Sequence, residues 1–165
     1  MSAQRDRLDP VSREPLEMLL AAIPGGFNAI PDIVERRAVV AGLLAAQMAD
    51  VPPNDRVVTE DRVIPGPEGA PDVPVRIYTP ADATGVLLPG ILYIHGGGMI
   101  IGSPKMDDAR LAGIASELGV VVVSPDYRLA PEHPYPAPVD DCHAAWTWML
   151  QNAAQRGFDV NRIAV

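Results

Sequence analysis

The chain has 165 residues, 48% of them hydrophobic and 21% charged, with a formal net charge of −8. That balance suits a soluble globular unit and not a disordered chain. The acidity, with a sequence pI of about 4.7, argues against nucleic-acid binding, which needs a basic face. No run of about 18 apolar residues occurs, so no membrane span is expected. The basic N-terminal residues lead into no apolar core, so no secretory signal is expected. The single cysteine, Cys142, has no internal partner, which fits a reducing cytoplasm.

In chain order, the 3.6-residue spacing of Leu16, Leu19, Leu20 and Ile23 predicts a helix over Ser12 to Ala22, stopped by Pro24-Gly25-Gly26. Pro31-Asp32 starts a second helix running to about Ala49, with Ile33, Val34, Val40, Leu43, Leu44 and Met48 as its apolar face. Val51 to Asp55 is a linker. Arg56 to Ile64 and Val73 to Tyr78 read as antiparallel strands joined by the Pro65–Gly69 loop. A third strand is placed at Ile91 to His95, after the Pro89-Gly90 interruption. Ser103-Pro104 reads as a helix start, with a capping hydroxyl and then proline at the first position. That helix turns Leu111, Ile114, Ala115 and Leu118 inward and ends at Gly119. The β-branched run Val120 to Ser124 predicts a parallel strand covered on both faces. An irregular loop with five prolines spans Pro125 to Pro138. A last helix, from about Val139 to Arg156, places Asp140 and Asp141 in its first turn, where carboxylates suit the helix dipole. Of Trp146 and Trp148, at most one should face the core. Arg162 to Val165 opens one more strand. Strand, helix, strand, helix, strand implies a parallel α/β sheet.

The informative stretch is Ile91-Leu92-Tyr93-Ile94-His95-Gly96-Gly97-Gly98. A buried strand delivers three glycines to a fixed point, and glycine backbone can turn there without Cβ clashes. Successive N–H groups can then line a concave anion site, which in a hydrolase is an oxyanion hole. The alternative is a glycine turn that binds nothing. A dinucleotide fingerprint fails in register, because Ile101 stands where the third glycine belongs. A phosphate loop fails because no Gly-Lys-Ser/Thr follows. His95, His133, Cys142 and His143 share no metal-ligand spacing, so no metal is expected. Cys142 reads as a packing residue rather than a nucleophile beside His143, and His133 as making a loop-fixing hydrogen bond rather than lining a pocket.

His95-Gly96-Gly97-Gly98 and the stretch Asp126-Tyr127-Arg128-Leu129-Ala130-Pro131-Glu132-His133-Pro134-Tyr135-Pro136-Ala137-Pro138-Val139-Asp140-Asp141 together resemble the hormone-sensitive-lipase, or HGGG-type, family of α/β-hydrolase esterases. The resemblance covers about residues 55 to 165. It implies a three-layer α/β-hydrolase fold, a mostly parallel sheet flanked by helices. Residues 1–50 would be an N-terminal helical cap segment, and residues 51–165 the N-terminal half of an incomplete core. It implies an ester hydrolase acting on a small-molecule ester through a Ser-His-Asp triad, with no cofactor. Gly96 and Gly97 match the oxyanion-hole donors, and Gly98 supports the turn. His95 orients that loop and is not the catalytic histidine. Asp126, Tyr127 and Arg128 match a structural network, and Met99 and Ile100 would flank the acyl pocket.

The family's nucleophile stands in Gly-Asp-Ser-Ala-Gly after a strand like Arg162 to Val165. A nucleophile elbow needs glycine two residues before and two after the serine. None of Ser2, Ser12, Ser103, Ser116 and Ser124 meets that condition. The triad is therefore expected to be absent from this sequence, and the chain alone inactive. The apolar edge at the last strand should leave it marginal by itself, or paired with a complementing C-terminal fragment or with itself. A non-catalytic, receptor-like ligand binder of the same fold is the alternative reading.

Overall fold

The computed structural model describes residues 7–165 and forms two compact units, Met1–Val39 and Val40–Val165. Residues 1–6, which hold Ser2 and the first part of the basic N-terminal stretch read above as no signal, lie outside the described residues.

In the first unit, helix α1 spans Pro10–Ala22. The Asp9 carboxylate caps it by accepting the Val11 N–H at 2.8 Å, so the helix starts ahead of the expected Ser12. Ile23 is buried and Leu16, Leu19 and Leu20 are half-buried. Gly25 and Gly26 adopt positive φ and end the helix. Helix α2, Ile33–Met48, begins in this unit, with Asp32 accepting the Glu35 N–H at 2.7 Å. Val34, assigned above to its apolar face, is exposed.

The second unit is built on a five-stranded sheet of order β1-β2-β4-β3-β5: β1 Val57–Ile64, β2 Val73–Pro80, β3 Leu88–Leu92, β4 Val121–Pro125 and β5 Phe158–Ala164. β1, β2 and β4 pair antiparallel in turn, while β3 pairs parallel with both β4 and β5. Helix α3, Asp108–Leu118, joins β3 to β4, and helix α4, Ala137–Asn152, joins β4 to β5. Neighbouring residues of a strand point to opposite faces. Val121 and Val123 accordingly enter a core with Ala145, Trp148 and Met149 of α4, whereas Val122 packs with Leu111 and Ala115 of α3. Both faces of β4 are therefore covered, which is why Val121, Val122 and Val123 can follow one another without a polar residue between them. The result is three layers.

Several sequence expectations need correction. β3 lies at Leu88–Leu92, not Ile91–His95. The Pro89-Gly90 pair does not exclude a strand: a register shift between Leu88 and Gly90 absorbs the proline, which has no N–H to contribute. Gly90 faces the core, where a Cβ would make ordinary van der Waals contact with Met149, Phe158 and Ile163 at 3.4–3.5 Å. Pro104–Asp107 forms a 3₁₀ turn before α3, with proline at its first position, but the Ser103 hydroxyl makes no capping bond. Leu118 is 66% exposed, since α3 ends there, at left-handed Gly119, before the turn closes on the sheet. α4 starts two residues early and stops at Asn152, because prolines are tolerated in a first turn. Trp148 is buried, and Trp146 also lies partly buried against the same core. β5 begins at Phe158, earlier than predicted.

Candidate active site

The glycine loop leaves the sheet where β3 ends. Tyr93 makes one more ladder-like bond, its N–H donating to Val123 O at 2.8 Å, and then the chain departs. Gly96, Gly97 and Gly98 are exposed, and among the described residues their N–H groups have no hydrogen-bond partner. The loop folds back on itself: Ile100 and Ile101 N–H donate to Gly97 O at 3.2 and 3.1 Å. Gly97 has φ 124°, and a Cβ there would sit 1.8 Å from Ile101 O. Met99 holds a left-handed φ of 62°, uncommon for a side-chain-bearing residue, and remains 42% exposed.

His95 is buried under this loop. Its ring stacks on Tyr127 with centroids 4.1 Å apart and planes within 9°. Nδ1 lies 2.9 Å from Gly96 O, so with the proton on Nδ1 it donates there. Nε2 is then an acceptor with no partner among the described residues. The Tyr127 hydroxyl donates to His95 O at 2.7 Å. Gly102 closes the underside: a Cβ would lie 2.4 Å from His95 Nδ1 and 2.5 Å from Gly96 O. Sequence reasoning missed Gly102, whose only signal was a glycine shortly after the triplet.

The three residues after β4 divide their work. Asp126 N–H donates to Pro74 O at 2.8 Å and extends the sheet contact. Desolvation raises its carboxyl above the usual aspartate value, opposed by His95 and Lys105, although the residue as a whole is exposed. Tyr127 supports the histidine. Arg128 grips Asp141: its backbone N–H and Nε reach Oδ2, both at 2.9 Å, and Nη2 reaches Oδ1 at 2.7 Å. Asp141, read above as a dipole residue, is thus a buried ion-pair partner. The fixing bond at His133 comes from its backbone N–H, which donates to Leu129 O at 3.0 Å, and not from its ring. Ala130 N–H donates to Met99 O at 2.9 Å, joining the proline-rich segment to the glycine loop.

Cys142 is half-buried. Desolvation first, and Asp141 second, push its thiol up to about 11 from an ordinary 9.0. Desolvation likewise pushes Tyr127 up to about 12 from 10.0. Both groups hold their protons more tightly folded than unfolded. Stability should therefore be intact below pH 9 and fall as pH rises through the interval from about 9 to about 12. Urea denaturation midpoints measured across that range check this. Alkylation of Cys142 by iodoacetamide at pH 8 should be much slower than that of an exposed thiol.

No group of three or more metal-ligating side chains occurs among the described residues. No helix among them is long and apolar enough to cross a membrane.

A three-layer sheet carrying a His-Gly-Gly-Gly turn between a strand and the next helix defines an α/β-hydrolase core. Comparison with known proteins agrees. The family described as alpha/beta hydrolase fold matches residues 91–165. Carboxylesterase NlhH of Mycobacterium tuberculosis is 40% identical over 161 residues, covering 98% of this chain and 47% of that protein. Esterase LipI of the same organism is 38% identical, covering 98% and 48%. Among solved structures, a bacterial heroin esterase superposes with a TM-score of 0.87 at 37% identity, over 98% of this chain and 49% of that one. An esterase from Pyrobaculum calidifontis gives 0.78 at 37% identity, over 96% and 48%. The chain belongs to the HGGG-type, hormone-sensitive-lipase-like family of α/β-hydrolases, and it spans about half the length of the curated relatives it matches.

Proposed function

We propose that this chain supplies the oxyanion-holding part of a carboxylic ester hydrolase acting on small-molecule esters. The observation that carries the reading is the set of N–H groups at Gly96, Gly97 and Gly98, unpartnered among the described residues and presented beyond the sheet ladder. In the complete reaction a serine outside these 165 residues attacks the ester carbonyl and gives its proton to a histidine. The carbonyl oxygen becomes an oxyanion, held by the Gly96 and Gly97 N–H groups, with Gly98 supporting the turn. The alcohol leaves with the proton, and water then hydrolyses the acyl-serine. His95 orients the loop, and Asp126, Tyr127 and Arg128 anchor it. No metal or cofactor takes part. The names of the relatives, all esterases, support an ester as substrate.

The reading extends to the cell and to assembly. The cytoplasm is the proposed location, consistent with one unpaired cysteine. Among the described strands, β5 pairs only with β3. Its outer edge is the proposed place for a complementing segment or a second copy.

Two measurements test the proposal. These 165 residues alone should not turn over p-nitrophenyl acetate above background; sustained turnover would reveal a nucleophile and overturn the division of roles. Titration with methylphosphonate, a tetrahedral anion, should move the amide proton resonances of Gly96 and Gly97. Unmoved glycine amides at saturating phosphonate would remove the oxyanion assignment.

A further inference from the structure

The second unit contains a large cavity away from the glycine loop. It has a volume of about 620 Å³ and lies between the end of α2, the following linker, the β1–β2 sheet edge and α3. That volume is in the range of small-molecule sites, about 300–1,000 Å³.

Its lining is divided by polarity. One wall is Met48, Val51, Pro52 and Pro53, faced by Ala109 and Ala112. The two prolines have no N–H, so this wall offers a ligand little to hydrogen-bond. The rest of the lining includes the polar residues Asn54, Thr59, Arg76, Tyr78, Lys105 and Asp108. Arg76 has no free donor edge there: Nε and Nη2 meet the two oxygens of Asp108 at 2.7 and 2.9 Å, and Nη1 meets Asp61 at 2.6 Å. Asp108 also accepts the Tyr78 hydroxyl at 2.6 Å. Lys105 is different. It is exposed, and while its backbone carbonyl accepts the Asp108 N–H, its ammonium makes no hydrogen bond or ion pair with any described residue. The Asp126 carboxyl feels its charge. Arg76 is shared between Asp108 and Asp61, so the Lys105 ammonium is the charge of this lining with no ion-pair partner among the described residues, in a chain whose net charge is −8.

One unpaired ammonium in a cavity with an apolar wall selects a monoanion with a hydrocarbon tail. A dianion would need a second free cation, and a cationic amphiphile would meet Lys105 head-on. We propose that this cavity binds a medium-chain monocarboxylate, its carboxylate on Lys105 Nζ and its alkyl chain against the proline wall. This site is independent of the oxyanion assignment.

The experiment uses the whole 165-residue chain with octanoate as the probe, and octanol and octyltrimethylammonium as matched controls. Octanoate should raise the melting temperature in a saturable way and shift the methyl resonances of Met48 and Ala109. Octanol should bind about tenfold more weakly and the ammonium more weakly still. Lys105→Met should erase the preference for octanoate over octanol, and Lys105→Arg should restore it. Ala109→Phe, which fills the trough from an exposed helical position, should abolish binding of both. Methyl shifts confined to other regions, or a Lys105→Met variant that keeps the full preference for octanoate, would overturn the proposal. So would octanoate failing to bind the folded chain.

Discussion

Gly97→Ala is expected to disrupt the glycine loop, whereas Gly96→Ala should leave it in place. Gly97 combines a φ of 124° with a virtual Cβ 1.8 Å from Ile101 O, so an alanine must push the Gly97–Ile101 turn open. Gly96 has neither problem: its φ is not positive and a Cβ there would meet nothing within 4 Å. Strained backbone of this kind costs about 1–3 kcal/mol per residue. In a chain of this size that is a fall of about 2–4 °C in Tm for each kcal/mol. The larger effect is on function. In the complete enzyme, displacing one oxyanion donor should lower kcat by about 10²–10³-fold. Steady-state kinetics of the two variants side by side provide the check. Equal losses in both, or neither, would mean that the donors lie elsewhere.

Arg128→Met should be among the most destabilising single changes in the second unit. Asp141 is 1% exposed in its side chain and receives three bonds from Arg128, two of them from the guanidinium. Removing the guanidinium strands a carboxylate in the core, which costs about 3–5 kcal/mol. Pairing the change with Asp141→Leu should recover much of the loss, because the buried charge goes too. A double-mutant cycle from urea melts measures this coupling directly. If the two single losses simply add, the ion pair is not the unit that anchors the loop. The ester-hydrolase reading would survive that result, but the account of how residues 126–130 are held would not.

What could be read from sequence was whatever short-range patterning controls. The β1–β2 hairpin followed from alternation around Pro65–Gly69, and β4 from four successive apolar residues covered on both faces. The His-Gly-Gly-Gly turn was placed correctly beyond a strand, although the strand itself was drawn too late. That error had a physical source. Proline and glycine weaken a strand by local rules, yet β3 sits between two parallel partners, and tertiary pairing overrode the local penalty. The resemblance pointed to Asp126, Tyr127 and Arg128 as a network, but the partners of its long-range polar contacts were not legible. Nothing within a helix tells whether Asp141 serves the dipole or meets an arginine thirteen residues earlier. Gly102 was invisible for the same reason, since its necessity comes from the His95 ring folding over it. The Ser103 cap failed because a 3₁₀ turn, not an α-helix, follows it.

The partners that steady the glycine loop belong to a neighbouring strand's tail. Tyr127 lies under the His95 ring and bonds its carbonyl, and Ala130 holds the Met99 carbonyl. The alignment of these two tails is inherited from the parallel pairing Gly90↔Val121, Ile91↔Val122 and Leu92↔Val123. A slip of one residue between β3 and β4 would send alternate side chains to the wrong side of the sheet. His95 would then swing away from Tyr127, and the triplet would lose its footing. The geometry of the anion-facing turn is thus a by-product of sheet register, decided several residues upstream of the glycines themselves.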